Sequence, residues 1–151
     1  MPTSGHGGQR KDVGGDESDG RDETICLYDG QLSDDVVWEM LAYAAKRSVR
    51  VWMVTDSCNS GTNYRAVHDY VKAGKGIPGL SLIHWGGCAD GMVSFGSASG
   101  GEFTTAMVDA WEDVQSYDSF WNATNAKMPA WKQKPTIEKV GADFGYMEAF
   151  R

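Results

Sequence analysis

Three deficits narrow the field before any motif is read. The chain has no apolar run approaching the roughly 18 residues that a membrane-spanning helix needs, and no apolar core follows Met1 as a secretory leader would require. Basic residues are in short supply. Lys and Arg number 14 against 21 Asp and Glu, a formal charge of −7, which argues against a nucleic-acid surface. Cysteine is scarce and odd in number: Cys26, Cys58 and Cys88, with no CxxC pair, suit neither a disulfide framework nor a zinc site. Reduced thiols in a cytoplasm-like, cytoplasmic setting are the simpler expectation. Internal repeats and low-complexity tracts are also missing. What remains is a chain of 151 residues with 41% hydrophobic content, enough for one domain with a real core spanning residues 1–151.

The pattern of apolar residues predicts alternating strands and helices. Residues 4–23 are rich in Gly and Asp and read as a long loop, with a short strand at Thr24–Tyr28. SDDVVWEMLAYAA (33–45) reads as a helix with Val36, Val37, Met40, Leu41 and Ala44 on one face. Ser33 is its expected cap, and Asp34 and Asp35 suit its positive end. VRVWMVT (49–55) is predicted to be a strand covered on both faces, as in a parallel sheet. A loop or short helix is expected around 64–72, a strand at LSLIHW (80–85), and a short one at MVSF (92–95). GEFTTAMVDAWEDVQ (101–115) reads as a second amphipathic helix, residues 116–132 as irregular, and PTIEKV (135–140) as an edge strand, since Pro135 is tolerated only there. Such alternation implies a layered α/β fold.

Ligands of open parallel sheets sit beyond the carboxyl ends of the strands. Cys58 falls at such an end, where an imidazole can activate a thiol. The competing reading is a small buried hydrophobe, the commoner fate of an isolated cysteine. Among the histidines, His84 lies inside a strand and reads as a core or sheet-face residue, and His68 lies in an amphipathic stretch. Only His6, flanked by glycines in SGHGG, occupies a loop of the kind that carries catalytic groups. The acidic segment Asp12–Glu23 could hold a hard cation. It is not an EF-hand: with Gly20 at the invariant glycine, positions one and twelve would be Gly15 and Cys26. A solvated charge run is the plainer alternative there, and helix N-terminal charge is the plainer one for Asp34 and Asp35.

In order and spacing, SGHGGQ (4–9), GDESDGRDE (15–23), LSDD (32–35) and TDSCNSG (55–61) resemble the metacaspases of type I, caspase-like cysteine peptidases. LIHWGGCADG (82–91), GGEFTTAM (100–107) and QKPTIEKV (133–140) extend the likeness along most of the chain. The resemblance implies a caspase-like three-layer α/β/α sandwich with a mostly parallel sheet. It implies Cys58 as nucleophile, His6 as general base and acid, and the amides of Gly7 and Cys58 as the oxyanion hole. Cleavage after Arg or Lys would be directed by Asp56 with Ser4 beside it. Calcium would be held by Asp22, Asp34 and Asp35.

Three departures from the family pattern carry expectations. Asn59 replaces a histidine that is not the catalytic one. Arg65 stands where the family places a carboxylate, so a weakened calcium site or an internal salt bridge is expected. Only Met1, Pro2 and Thr3 precede Ser4, where the family has two strands and two helices. The sheet is therefore expected to be incomplete at its N-terminal side, completed by a complementing N-terminal half or by self-association. Three readings follow. One is a thiol endopeptidase acting on protein or peptide substrates with Arg or Lys at the cleavage site. Another is a catalytically inactive caspase-like module that binds a partner chain or calcium. The third is a different Cys–His acyl-transfer enzyme, which the acidic pocket disfavours.

Overall fold

Eight apolar residues of VRVWMVT and LSLIHW set the plan of the molecule, because they alternate between two cores. The computed structural model describes residues 2–11, 20–57, 76–89, 93–97, 100–112, 115–129, 131 and 133–149. In chain order the elements are β1 (Pro2–Ser4), β2 (Gly7–Lys11), β3 (Arg21–Cys26), β4 (Gln31–Ser33), α1 (Asp34–Ala45), β5 (Arg50–Asp56), β6 (Ser81–Gly86), β7 (Gly96–Ser97), β8 (Gly100–Gly101), α2 (Glu102–Ala110), α3 (Tyr117–Lys127) and β9 (Thr136–Gly141).

The main sheet has the order β1-β5-β6-β9. β5 runs parallel to both β1 and β6, and β9 closes the far edge antiparallel to β6. Successive side chains of a strand point to opposite faces. Met53 and Leu82 therefore meet Val37, Leu41 and Ala45 of α1 on one face. Val54, Ile83 and Trp85 meet Phe103 and Ala106 of α2 and Phe120 of α3 on the other. Helices cover both faces, which is why β5 and β6 read as continuous apolar runs. β9 follows the same alternation: Val140 packs with the first core and Ile137 with the second.

Trp85 is fully buried and anchors the second core. Its ring lies 5.0 Å from that of Trp52, 5.2 Å from Phe120 and 5.4 Å from Trp121, all edge-on or tilted. Such pairs add about 0.5–1.5 kcal/mol each beyond the area they bury.

Several expectations need correction. The predicted loop over 4–23 contains β2, which pairs antiparallel with β3, and β3 starts at Arg21 and ends at Cys26. GGQRK has no strand propensity, so β2 exists only because β3 offers it a hydrogen-bonded partner. Together with β4 these strands form a small antiparallel sheet. Ser33 does sit at the N-cap of α1, but its side chain makes no capping hydrogen bond. The buried face of α1 is narrower than predicted: Val36 and Met40 are exposed. α2 stops at Ala110, and Trp111 is already extended. Residues 116–132, predicted irregular, contain α3, capped by Ser116, whose hydroxyl accepts from the amide of Ser119 at 3.1 Å. The expected strand at 92–95 is replaced by β7, just after it. The element expected around 64–72 lies outside the described residues, as do Met92 and Val114.

Among the described residues β1 is an outer strand. An apolar cleft of about 710 Å³ runs beside it, walled by Thr3, Trp52, Val54, Met107, Val108 and Trp111. Among the described residues no helix is long and apolar enough to cross a membrane.

Candidate active site

The site grows from the pairing of β1 with β5. Pro2, Thr3 and Ser4 lie opposite Val54, Thr55 and Asp56, each partner 52 positions further along. The pairing is carried one residue past β1 by the amide of Gly5, which donates to the carbonyl of Asp56 at 3.1 Å. His6 follows at the turn into β2. Its side chain is exposed, and its carbonyl accepts from the amide of Cys26 at 2.9 Å. Gly7 opens β2 opposite Ile25. The strand register ends at Ser4 and Asp56, two residues before His6 and two before Cys58 in the sequence. Cys58 itself lies outside the described residues, as do Asn59, Arg65 and His68.

Asp56 ends β5 and is 3% exposed. Its Oδ2 accepts from the backbone amide of Thr104 at 2.9 Å and from the Thr104 hydroxyl at 2.6 Å, and its Oδ1 accepts from the Ser94 hydroxyl at 3.0 Å. Thr104 is in the first turn of α2, whose own cap residue is Gly101 and offers no side chain. A carboxylate from the neighbouring strand thus satisfies an amide that the helix leaves open, at its positive end. Glycine is required on both flanks. A Cβ at Gly87 would stand 2.9 Å from Asp56 Oδ1, and one at Gly101 would overlap the carboxylate. Ser4, the expected companion of Asp56, is its register partner on β1.

Gln133 supports this pocket and was not singled out in the sequence. Its fully buried amide donates to the carbonyl of Gly87 at 2.8 Å and accepts from the amide of Phe95 at 2.8 Å. It joins the segment after β6 to the segment before β7. The only signal for it in the sequence was its place at the head of QKPTIEKV.

His84 is a core residue, as expected. It is fully buried, its Nε2 lies 2.9 Å from the Thr55 hydroxyl, and burial pushes its pKa down to about 3. Its imidazole is neutral at physiological pH.

A second cluster joins β3 to the start of α1. One carboxylate oxygen from each of Asp22, Asp34 and Asp35 lies within 4.8 Å of the others. Burial pushes the Asp34 pKa up to about 6. The charges of Glu23, Asp22 and Asp35 add to this, against a hydrogen bond from the Asp35 amide. Asp34 Oδ1 accepts that bond at 3.1 Å, while Oδ2 is buried with no partner among the described residues. Arg10 of β2 reaches in from the side. Its Nε is 2.9 Å from Asp22 Oδ2, and an Nη is 3.9 Å from Asp35 Oδ2. Converging carboxylates, an orphaned buried oxygen and a guanidinium standing in as the positive charge fit a hard cation bound through oxygen.

Residues 2–66 match the family described as metacaspase, peptidase C14 domain. That segment, less than half of the chain, is similar to the metacaspases. The chain is 45% identical over 78 residues to metacaspase-1 of Yarrowia lipolytica, covering 49% of this chain and 16% of that protein. Over 62 residues it is 47% identical to metacaspase-1 of Schizosaccharomyces pombe, covering 38% and 15%. Over 107 residues it is 34% identical to metacaspase-1A of Aspergillus fumigatus, covering 60% and 26%. The aligned stretch is thus between about a seventh and a quarter of these relatives' own lengths. Among solved structures, a Geobacter sulfurreducens protein superposes with a TM-score of 0.74 at 31% identity, covering 99% of this chain and 69% of that one.

Proposed function

We propose that the chain is a cysteine-type endopeptidase that cleaves after Arg or Lys through a dyad of Cys58 and His6, with calcium at Asp22, Asp34 and Asp35. The observation that supports this reading is the β1–β5 register, extended by the Gly5–Asp56 hydrogen bond, which ties the segment just before His6 to the strand end that in sequence is two residues before Cys58.

The chemistry follows from the residue types. His6 accepts the proton of the Cys58 thiol, and the thiolate adds to the scissile carbonyl. The oxyanion that forms is stabilised by the amides of Gly7 and Cys58. As the tetrahedral species collapses, the C–N bond breaks and the His6 imidazolium protonates the leaving amine. Water, deprotonated by His6, then hydrolyses the thioester and releases the thiol. Asp56 selects the substrate. Its carboxylate has about four acceptor sites, and three hydrogen bonds from Thr104 and Ser94 leave room for one charge-assisted bond from a guanidinium or ammonium. A bound calcium would neutralise the crowded carboxylates and brace β3 against α1.

The test is hydrolysis of fluorogenic peptides with Arg or Lys before the scissile bond, with and without calcium. Activity in the wild type that disappears in Cys58→Ala and in His6→Ala supports the proposal. Equal turnover in wild type and Cys58→Ala overturns it.

A second reading, an inactive caspase-like module that binds a partner chain, is supported by the cleft beside β1. An outer strand next to apolar Trp52, Val54 and Met107 suits an added strand from a complementing half or a second copy. Stoichiometric association in light scattering, with no turnover of any Arg or Lys peptide, would decide for it.

A further inference from the structure

Arg65, of which an internal salt bridge was expected, lies outside the described residues; among those described, Arg10 brings a cation to the acidic cluster. Arg10 lies directly opposite Asp22 in the β2–β3 register, so strand pairing itself delivers the guanidinium to the acidic cluster. It bonds Asp22, which is 1% exposed, and approaches Asp35, while its own side chain is 42% exposed. The third carboxylate, Asp34, has a buried Oδ2 that neither Arg10 nor, among the described residues, any other group bonds. Among the described residues, one monovalent, half-solvated cation therefore serves two of the three carboxylates and leaves a buried oxygen of Asp34 unused.

We propose that Arg10 is a tethered competitor for the cation site, so that a divalent ion binds Asp22, Asp34 and Asp35 only by displacing the Arg10 guanidinium. This rests on the calcium reading of the cluster. A divalent ion offers twice the charge and several coordination positions, so it can take the Asp34 oxygen that the guanidinium leaves unbonded. Arg10 has an exit, because its stem runs along the exposed face of β2 and its head can swing into water. The competition sets a threshold. At low divalent concentration the arginine holds β3 against α1, and at high concentration the metal does.

The experiment is calorimetric titration of calcium chloride into the full chain carrying Cys58→Ala, compared with the same chain carrying Arg10→Gln, Arg10→Lys or Asp34→Asn. Removing one cation from within about 4 Å of the carboxylates should tighten calcium binding roughly tenfold or more. Arg10→Lys, which keeps the charge, should stay near the parent, and Asp34→Asn should abolish binding. Thermal melts give a second reading. Arg10→Gln should melt below the parent in chelator, because the carboxylates then repel without a counter-charge, and above it in saturating calcium. If Arg10→Gln binds calcium no more tightly than the parent while Asp34→Asn abolishes binding, the calcium reading stands and the role given to Arg10 is wrong. If no chain binds calcium, both are wrong.

Discussion

The amide of Gly5 donates to the carbonyl of Asp56 at 3.1 Å, and this one bond fastens the loop carrying His6 to the strand that leads into Cys58. The two candidate catalytic residues are 52 positions apart in the chain, yet each is one or two residues from this bond. Gly5→Pro deletes the donor. Its expected effect is a kcat lower by about 100-fold, the scale of a misplacement near 1 Å, with KM little changed because Asp56 keeps its other partners. Steady-state kinetics on an Arg peptide measure both. An unchanged kcat would show that the bond does not position the dyad.

Asp56 has a structural task besides the one proposed for substrate. Asp56→Asn keeps the shape but removes the charge that faces the first turn of α2, and one of the Thr104 and Ser94 donors loses its acceptor. A loss of about 1–3 kcal/mol is expected from urea unfolding, together with loss of the preference for basic over neutral residues at the cleavage site. Thr104→Val removes one hydroxyl bond and leaves the charge. It should lower stability by about 1 kcal/mol and keep the preference, which a panel of peptides differing only at that residue would report.

Gly101→Ala is expected to destabilise by several times more than Gly30→Ala. A Cβ at Gly101 would overlap the Asp56 carboxylate, whereas one at Gly30 meets nothing within 4 Å. The clash forces Asp56 off Thr104, so the loss should approach the roughly 1–3 kcal/mol of an unsatisfied buried group plus strain. Chemical denaturation of the pair of variants is the measurement, and equal midpoints would contradict the packing described.

His84 predicts a pH dependence of known sign. Its folded pKa is pushed down to about 3, below the ordinary value of 6.5. Between these values the unfolded chain binds a proton that the folded chain does not, so the contribution is complete above about pH 6.5 and falls as pH drops, by about 1.4 kcal/mol per unit. Urea midpoints measured from pH 7.5 to 4.5 should decline accordingly. In His84→Gln the decline should be shallower, and an identical slope would mean that His84 is not the group responsible.

Much of this arrangement was legible because it depends on apolar pattern. VWMV and LSLI alternate between two cores, and α1 places Val37, Leu41 and Ala45 on one stripe, so strands and helix were visible without any contact information. The acidic cluster was expected only through the family resemblance; pattern alone read Asp34 and Asp35 as charge at a helix start, and only the fold brings Asp22 of β3 beside them. What escaped depends on partners distant in sequence. β2 is glycine, glutamine and cations, and only its register with β3 makes it a strand. α3 is built from YDSFWNATNAK, poor helix formers with just Phe120 and Thr124 buried, and it is held by aromatic packing from Trp85 and Trp111. Arg10 falls in the stretch that read as a loop, and only the strand pairing puts it opposite Asp22. Gln133 was hidden for the same reason, since both of its bonds go to loops about 40 residues earlier.

The cleft beside β1 has a practical consequence at the bench. Its wall is apolar over a volume of about 710 Å³ and opens beside an outer strand. Dyes such as anilinonaphthalene sulfonate, which brighten in nonpolar surroundings, will light up the native chain. For this protein such brightening reports a properly folded surface, and a loose, partly melted state has to be diagnosed by the loss of near-ultraviolet circular dichroism from its packed tryptophans.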